Sequence, residues 1–333
     1  MTFSIIVPSL NAARYIEETL ASVEKQTYTD YELIIVDDGS WDATSEMICR
    51  FVSEYPRTIT VSKKNEGPLL ARRDALKCCS GDYVVFLDAD DVLHPETLER
   101  VSEVLERSNV DILEYGLTRN QEHLGRAFRS TVEVRPVNSD SIIRMRERVS
   151  SGLTNNLCGK VIRIACFDLQ EDYSPFVGMM HGEDLFQLLP VVDRAKTVLQ
   201  ITDSLYYYRK ADSTSTSRFR QRQLADVDTL FERLLLFSAR WGGNCVVNAL
   251  REEATLYVSL LCLAADGEWD SGSSTSTFDN IRVAMETTGA LGRSEGIKLR
   301  LDVRLILSLL LWRKYHTLKK LLRFRNLIRN GFR

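Results

Sequence analysis

Four short apolar runs constrain this chain more than anything else in it. Phe3 to Pro8 (FSIIVP), Leu33 to Val36 (LIIV), Thr58 to Val61 and Tyr83 to Leu87 (YVVFL) are strand-like, and segments of helical periodicity separate them. Ile16, Leu20 and Val23 recur at helical spacing within Tyr15 to Val23, and Ala43, Met47, Ile48 and Phe51 form the apolar face of a second helix. A third helix follows Asn65-Glu66-Gly67-Pro68 and runs to Lys77. A fourth is expected to open at Pro95, a favoured first helical position, and to reach Glu106. Strands apolar on both faces that alternate with helices predict a mostly parallel central sheet flanked by helices, an α/β domain. Sheets of this kind bind ligands beyond the carboxyl ends of their strands.

Two of those ends are acidic: Asp37-Asp38 follows LIIV, and Asp88-Ala89-Asp90-Asp91 follows YVVFL. Like charges this close repel, and each resists leaving water, so something positive must answer them. In an extended backbone, residues two apart share a side, so Asp88 and Asp90 are expected to converge with Ala89 facing away. Two convergent carboxylates suit a hard divalent cation such as Mn2+ or Mg2+, usually held by one or two carboxylates plus substrate phosphates. The bland reading of Asp90 or Asp91 is a cap for the helix at Pro95. The same letters, Asp88-Ala89-Asp90-Asp91-Val92, also resemble the haloacid-dehalogenase phosphatases, whose first Asp is a nucleophile. That motif belongs to an opening strand, and here it sits on the fourth.

The net charge of −3 hides an acidic amino-terminal half and a strongly basic end. Seven cysteines form no CxxC pair, are odd in number, and read as reduced thiols. With four histidines and no ligand spacing, a Cys/His zinc site has no support. No signal peptide is evident, and no run reaches the roughly 18 apolar residues of a membrane span, so a cytoplasmic chain is expected.

Beyond Leu117 the pattern is irregular. Glu133 to Pro136 and Val198 to Tyr208 read as strands, and Asp140 to Val149 and Gly182 to Leu189 as helices. Gln223 to Trp241 and Cys245 to Ala265 are helical, Asp270 to Thr277 (DSGSSTST) resembles a linker, and Lys298 to Leu322 is amphipathic.

IIVPSLNAARYIEETLASVEKQTYTDYELIIVDDGSWDAT, then NEGPLLARRDAL, then GDYVVFLDADD resemble, in this order and spacing, the inverting family-2 glycosyltransferases of the GT-A fold. Weaker likenesses, GEDLF at Gly182–Phe186 and YYYR at Tyr206–Arg209, extend the resemblance to about residue 215. It implies a Rossmann-like GT-A domain whose nucleotide-sugar half spans 1–115 and whose acceptor-facing half spans 116–218, followed by a helical carboxyl-terminal extension at 219–333. It further implies that Pro8, Ser9 and Asn11 line a nucleoside pocket, that Asp38 contacts the uracil ring while Asp37 braces the turn, and that Arg72 lies near the nucleotide. Asp88 would approach ribose or metal, next to Ala89, and Asp90 would ligate Mn2+ or Mg2+ bridging the donor diphosphate. Leu10 stands where an aromatic residue often stacks on the base, and Ala71-Arg72-Arg73-Asp74-Ala75 lacks the usual Asn and Gly.

Inverting transfer needs a further carboxylate to take the acceptor proton. By the same resemblance Asp184 is that base and Glu183 its supporting acid, in the first turn of a helix whose dipole favours the ionised form; ordinary capping is the alternative. Lys160, His181 and Arg209 are candidate contacts to acceptor or diphosphate, and Tyr206 to Lys210 with Ser213 to Ser217 form either a mobile lid or an aromatic strand at a core edge. The run Leu305 to Trp312 followed by Arg313 and Lys314 suits the headgroups of an anionic membrane, or packs on the domain or on a second subunit of a homodimer. No aromatic-basic platform for nucleic acid is present. The expectation is a metal-dependent enzyme, peripheral on the inner face of the membrane, that moves a hexosyl group from a UDP-sugar to a saccharide or lipid-linked acceptor with β-linkage in polysaccharide synthesis. A DxD phosphohydrolase and a non-catalytic nucleotide-binding scaffold are the alternatives.

Overall fold

The computed structural model describes residues 1–55, 58–124, 139–209, 219–266, 273–294 and 297–331. Its first half runs β1 (Phe3–Ser9), α1 (Ile16–Glu24), β2 (Tyr31–Asp37), α2 (Thr44–Glu54), β3 (Thr58–Ser62), α3 (Pro68–Lys77), β4 (Tyr83–Phe86), β5 (Val92–Leu93), α4 (Thr97–Ser108) and β6 (Ile112–Thr118). It continues through α5 (Ser139–Ser150), β7 (Lys160–Arg163), α6 (Glu183–Arg194) and β8 (Val198–Tyr207). One sheet takes all eight strands in the order β3-β2-β1-β4-β7-β6-β8-β5.

The expected parallel half is present: β1 pairs in parallel with β2 and β4, and β2 with β3. Ile5, Ile6, Val7, Ile34, Ile35, Val36, Val84, Val85 and Phe86 are fully buried, as strands covered on both faces require. Gly81 lets β4 reach β1, since a Cβ there would lie 2.9 Å from the Phe3 carbonyl carbon. The other half is mixed: β7 runs antiparallel to both β4 and β6, β6 is parallel to β8, and β5 is antiparallel to β8.

The ends of β1, β2 and β4 are level. Ser9 stands opposite Asp37, Asp38 N–H donates to the Ser9 carbonyl at 2.9 Å, and Leu87 N–H to the Ile6 carbonyl at 2.9 Å. Both acidic clusters therefore leave the sheet at one edge. Pro95 does not open α4. Val92–Leu93 first pair with Tyr206–Tyr207, and Thr97 then starts the helix, its N–H and hydroxyl both on the His94 carbonyl. The expected strand at Glu133 to Pro136 lies outside the described residues.

The chain divides into two compact units, one of residues 1–145, 155–179 and 183–212, the other of 146–154, 180–182 and 213–333. The second contains α7 (Arg222–Trp241), α8 (Cys245–Asp266), α9 (Ser273–Thr287), α10 (Ala290–Ser294), α11 (Leu301–Leu311) and α12 (Tyr315–Gly331). Tyr257, Leu261, Phe278, Ile281, Met285, Ile306, Leu310, Leu318 and Leu322 are buried in its core. Residues 270–272 of the expected linker lie outside the described residues, and Ser273 to Thr277 are helical instead. Phe278, Ile281 and Met285 share a face that packs into the core, and this packing overrides the weak helix propensity of the Ser/Thr run. Lys298 to Leu322 is likewise two helices, broken at Trp312–Lys314 where Arg313 takes a φ of 53°.

Candidate functional site: an acidic edge bridged by one arginine

β4 ends at Phe86, and Asp88 to Asp91 form a turn closed by Asp91 N–H on the Asp88 carbonyl at 3.0 Å. The extended course expected for these residues is thus corrected, and the turn gives each carboxylate a different environment. Asp91 is buried: it accepts the Tyr206 hydroxyl at 2.6 Å and the Arg209 N–H at 2.7 Å, and burial followed by the Asp88 charge pushes its pKa up to about 8. Asp88 accepts from Arg72 Nη2 at 2.9 Å and from the Cys158 thiol at 3.4 Å, while its N–H rests on the Tyr206 hydroxyl at 3.2 Å. Asp90 is half-buried and forms no ion pair among the described residues. Burial, then the neighbouring Asp88 charge, raises its pKa. A cation would relieve that strain, so the donor set fits a hard divalent ion at Asp90 better than at Asp91, whose oxygens are already taken. No group of three or more His, Cys, Asp or Glu side chains gathers for a metal among the described residues, so further ligands would have to come from a bound phosphate or from water.

Arg72 projects from α3, whose Leu69, Leu70, Ala71, Ala75 and Leu76 are buried around it. The guanidinium is itself buried, and it forms ion pairs in two directions: Nη2 with Asp88 at 2.9 Å, and Nη1 with Asp184 at 2.8 Å and Glu183 at 3.7 Å. Burial would lower the Arg72 pKa, but Asp184, Asp88 and Glu183 more than offset it and the group stays cationic. Glu183 and Asp184 open α6, and the Leu157 N–H donates to Asp184 Oδ2 at 3.3 Å. Burial and then the Asp184 charge push Glu183 up to about 8, and burial also raises Asp184 despite Arg72. Two carboxylate groups that the sequence separates by almost a hundred residues are thereby one guanidinium apart.

The remaining sequence candidates are distributed around this edge or away from it. The Ser9 hydroxyl is buried without a hydrogen-bond partner among the described residues, and Pro8 beside it is half-buried. Asn11, in the left-handed region at φ 51°, accepts from Trp41 N–H and donates its own N–H to Ser40, both at 3.0 Å. Asp37 braces its turn through Ser40 N–H at 3.0 Å and the Ser45 hydroxyl. Asp38 is also a brace, accepting from Glu66 N–H at 3.0 Å and Gly67 N–H at 2.8 Å. The Ala89 carbonyl accepts the Thr19 hydroxyl at 3.0 Å. Lys160 is buried with Nζ on the Asn156 carbonyl at 2.7 Å and 3.5 Å from Glu114, and burial lowers its pKa. His181 belongs to the second unit, where its N–H donates to Asp226. Arg209 donates to the Asp90 carbonyl at 2.7 Å and pairs with Glu18. Tyr206 is buried in β8, so of the two readings of its segment the strand is the one observed there; Lys210 and Ser213 to Ser217 lie outside the described residues. Sequence reasoning missed Tyr206 as a brace, and it missed Cys158 and Leu157 N–H. No local signal in the sequence pointed to any of them.

Residues 4–167 match the family Glycosyl transferase family 2. That match places the chain in glycosyltransferase family 2. Glycosyltransferase GlyA of Streptococcus pneumoniae is 27% identical over 303 residues, which are 88% of this chain and 42% of GlyA. The poly(ribitol-phosphate) β-N-acetylglucosaminyltransferase TarS of Staphylococcus aureus is 29% identical over 213 residues, 62% of this chain and 35% of TarS. The chain therefore spans less than half the length of these curated relatives. The crystal structure of S. aureus TarS 1–349 in complex with UDP superposes with a TM-score of 0.62 at 18% identity, covering 99% of this chain and 92% of that one. A Pyrobaculum calidifontis mannosyltransferase, PcManGT, solved with GDP-Man and Mn2+, gives 0.51 at 15% identity, covering 98% and 86%. The family-2 chain has the GT-A fold, and four of the seven strand pairings in its sheet are parallel, as the alternation of strands and helices predicts.

Proposed function

We propose that this family-2 chain transfers a hexosyl group from a UDP-sugar to a saccharide acceptor with inversion, as a step in building a surface polysaccharide. The observation that carries the reading is Arg72, whose guanidinium holds Asp88 on one side and Asp184 on the other. Inverting transfer needs a charge-handling group at the leaving diphosphate and a base across the anomeric carbon, and the two must be close. Asp184 takes the proton of the attacking hydroxyl; its raised pKa makes it a stronger base, and Leu157 N–H and Arg72 fix its direction. Glu183 beside it, its pKa pushed up to about 8, stays largely protonated at neutral pH as the supporting acid and leaves the proton transfer to Asp184. Pro8, Ser9, Asn11 and Asp38 line the nucleoside end, and the unpartnered Ser9 hydroxyl is a donor available to a ligand. Mn2+ or Mg2+ held by Asp90, with Asp88, would neutralise the charge growing on the departing UDP. Support for the donor comes from TarS, solved with UDP, and support for the ion from PcManGT, solved with Mn2+. Arg209, beside the Asp90 carbonyl, is the cation offered to the diphosphate. Lys160 and His181 receive no role in the transfer.

A phosphohydrolase would need Asp88 as an unencumbered nucleophile, whereas Arg72 and Cys158 hold it. The test screens UDP-sugars with Mn2+ for donor turnover in the parent chain and in Asp184→Asn. The variant is expected to bind UDP as the parent does and to lose about 10²-fold or more in transfer. Turnover within threefold of the parent would remove Asp184 from the mechanism. UDP binding without turnover of any sugar would favour the scaffold, and phosphate release from simple esters the phosphohydrolase.

A further inference from the structure

α11 has two faces. Val303, Ile306, Leu307 and Leu310 are buried in the core of the helical unit, while Leu301, Leu305 and Trp312 recur on the opposite side, 84%, 50% and 72% exposed. The helix ends in a fixed turn rather than a loose one: Arg313 N–H bonds the Leu310 carbonyl at 3.0 Å, Lys314 N–H bonds that of Leu309 at 2.9 Å, and Arg313 adopts the left-handed conformation. α12 then returns with Leu318 and Leu322 in the same core. The exposed leucines and the tryptophan are thus presented by a rigid platform.

The charges that this segment carries are nearly all of one sign, although Asp279 of α9, its pKa lowered first by the Tyr315 hydroxyl, lies close enough to Arg313 to be lowered by it too. From Lys298 to Arg333 the sequence has eleven basic residues and one acidic, in a chain of net charge −3. The single acid, Asp302, is already paired with Arg300 at 3.2 Å and Arg325 at 3.3 Å. Arg304, Arg313, Lys314, Lys320 and Arg323 are exposed.

We propose that the outer face of α11, with the Trp312-Arg313-Lys314 turn, is a docking surface for an anionic lipid bilayer. Leucines and a tryptophan need an apolar phase, and the cations flanking them need negative headgroups; a bilayer interface supplies both within a few ångströms. A second copy of the chain would oppose this basic face to its own image, placing like charges together. Nucleic acid would satisfy the cations but leave the leucine stripe in water. No described helix is long and apolar enough to cross a membrane, so the contact is interfacial. This proposal is independent of the transferase reading, because its test measures no turnover.

The experiment is co-sedimentation of the full chain with vesicles of phosphatidylcholine alone and of phosphatidylcholine with phosphatidylglycerol. Binding is expected only to the anionic vesicles and to weaken steeply with salt. Each basic residue at such a surface is worth about fivefold, so Arg313→Gln with Lys314→Gln should weaken binding about 25-fold. Trp312→Ala should weaken it as well, since the indole leaves the interface. All three side chains are exposed, so an unchanged melting temperature is expected; should the first pair melt lower, Arg304→Gln with Lys320→Gln takes its place. Deleting residues 298–333 is the poorer test, because it strips Ile306, Leu310, Leu318 and Leu322 from the core. Equal binding to both vesicle types, binding to neither, or binding indifferent to these variants overturns the proposal. So does a solution dimer broken by Leu305→Ser, or duplex DNA binding lost with the same substitutions.

Discussion

Arg72 serves three acids with one planar group, which a lysine cannot do, because an ammonium is a point charge without the guanidinium fork. Removing one partner of a buried ion pair leaves uncompensated charge behind. Arg72→Met should therefore cost about 3 to 5 kcal/mol of folding stability, and Arg72→Lys should recover part of that loss. Urea unfolding at neutral pH measures both, and a midpoint indifferent to Arg72→Met would show that the acids do not depend on it. The acids that Arg72 joins were legible beforehand, since strand ends mark ligand edges and Glu183-Asp184 stands at a helix start. What holds them was not. Tyr206 reaches Asp91 across 115 residues of sequence, and Cys158 reaches Asp88 across 70. Nothing local in either segment announces such a partner. The turn at Asp88 to Asp91 was misjudged for the same reason: β5 leaves the line of β4 to pair with β8, and that pairing is a tertiary event.

Elements were read well where hydrophobic periodicity alone decides them. All four strands of the parallel half appear where expected: burial on both faces leaves β1, β2 and β4 no other pattern, while β3, half-buried to exposed, is held by its pairing with β2. β6 and β7 were missed. β7 has only four residues, and β6 carries a buried Glu114 and a register shift at Gly116, where a Cβ would come within 2.9 Å of the Asp203 carbonyl. Their pairing with one another and with β8 supplies what their letters do not. In α8 another buried acid makes a prediction. Glu252 lies against Gly152, whose φ of 69° and missing Cβ leave room for its carboxyl, and burial alone raises its pKa from 4.5 to about 8. The folded state holds this proton to higher pH than the unfolded chain. Its contribution is therefore full below about pH 4.5 and is lost as pH rises through about 8. Glu252→Gln, which cannot ionise, should match the parent at pH 4 and exceed it by about 1 to 3 kcal/mol above pH 8. Urea titrations at the two pH values read the difference directly, and parallel curves would mean that Glu252 ionises freely in the fold.

At the scale of the whole chain, neither compact unit is a continuous stretch of sequence. Residues 146–154 and 180–182 interrupt the sheet unit in sequence but belong to the helical one. The last turn of α5 is among them, with Val149 and Ser150 fully buried, and so are the Met180 and His181 N–H groups that the Asp226 carboxylate accepts at 3.2 Å each. A chain cut after residue 212 would keep every strand and both acidic clusters, yet would strip these segments of their partners. Two lost hydrogen bonds and one uncovered valine amount to about 3 to 4 kcal/mol. For a domain of this size that corresponds to a fall of about 10 °C in melting temperature. The cut chain is therefore expected to melt well below the parent, with the loss centred on the end of α5 and on residues 180–182, where hydrogen exchange should become fast. If instead it melts within about 2 °C of the parent and those amides stay protected, the two segments would owe their order to the sheet unit, and the helical unit could be removed as a separate domain.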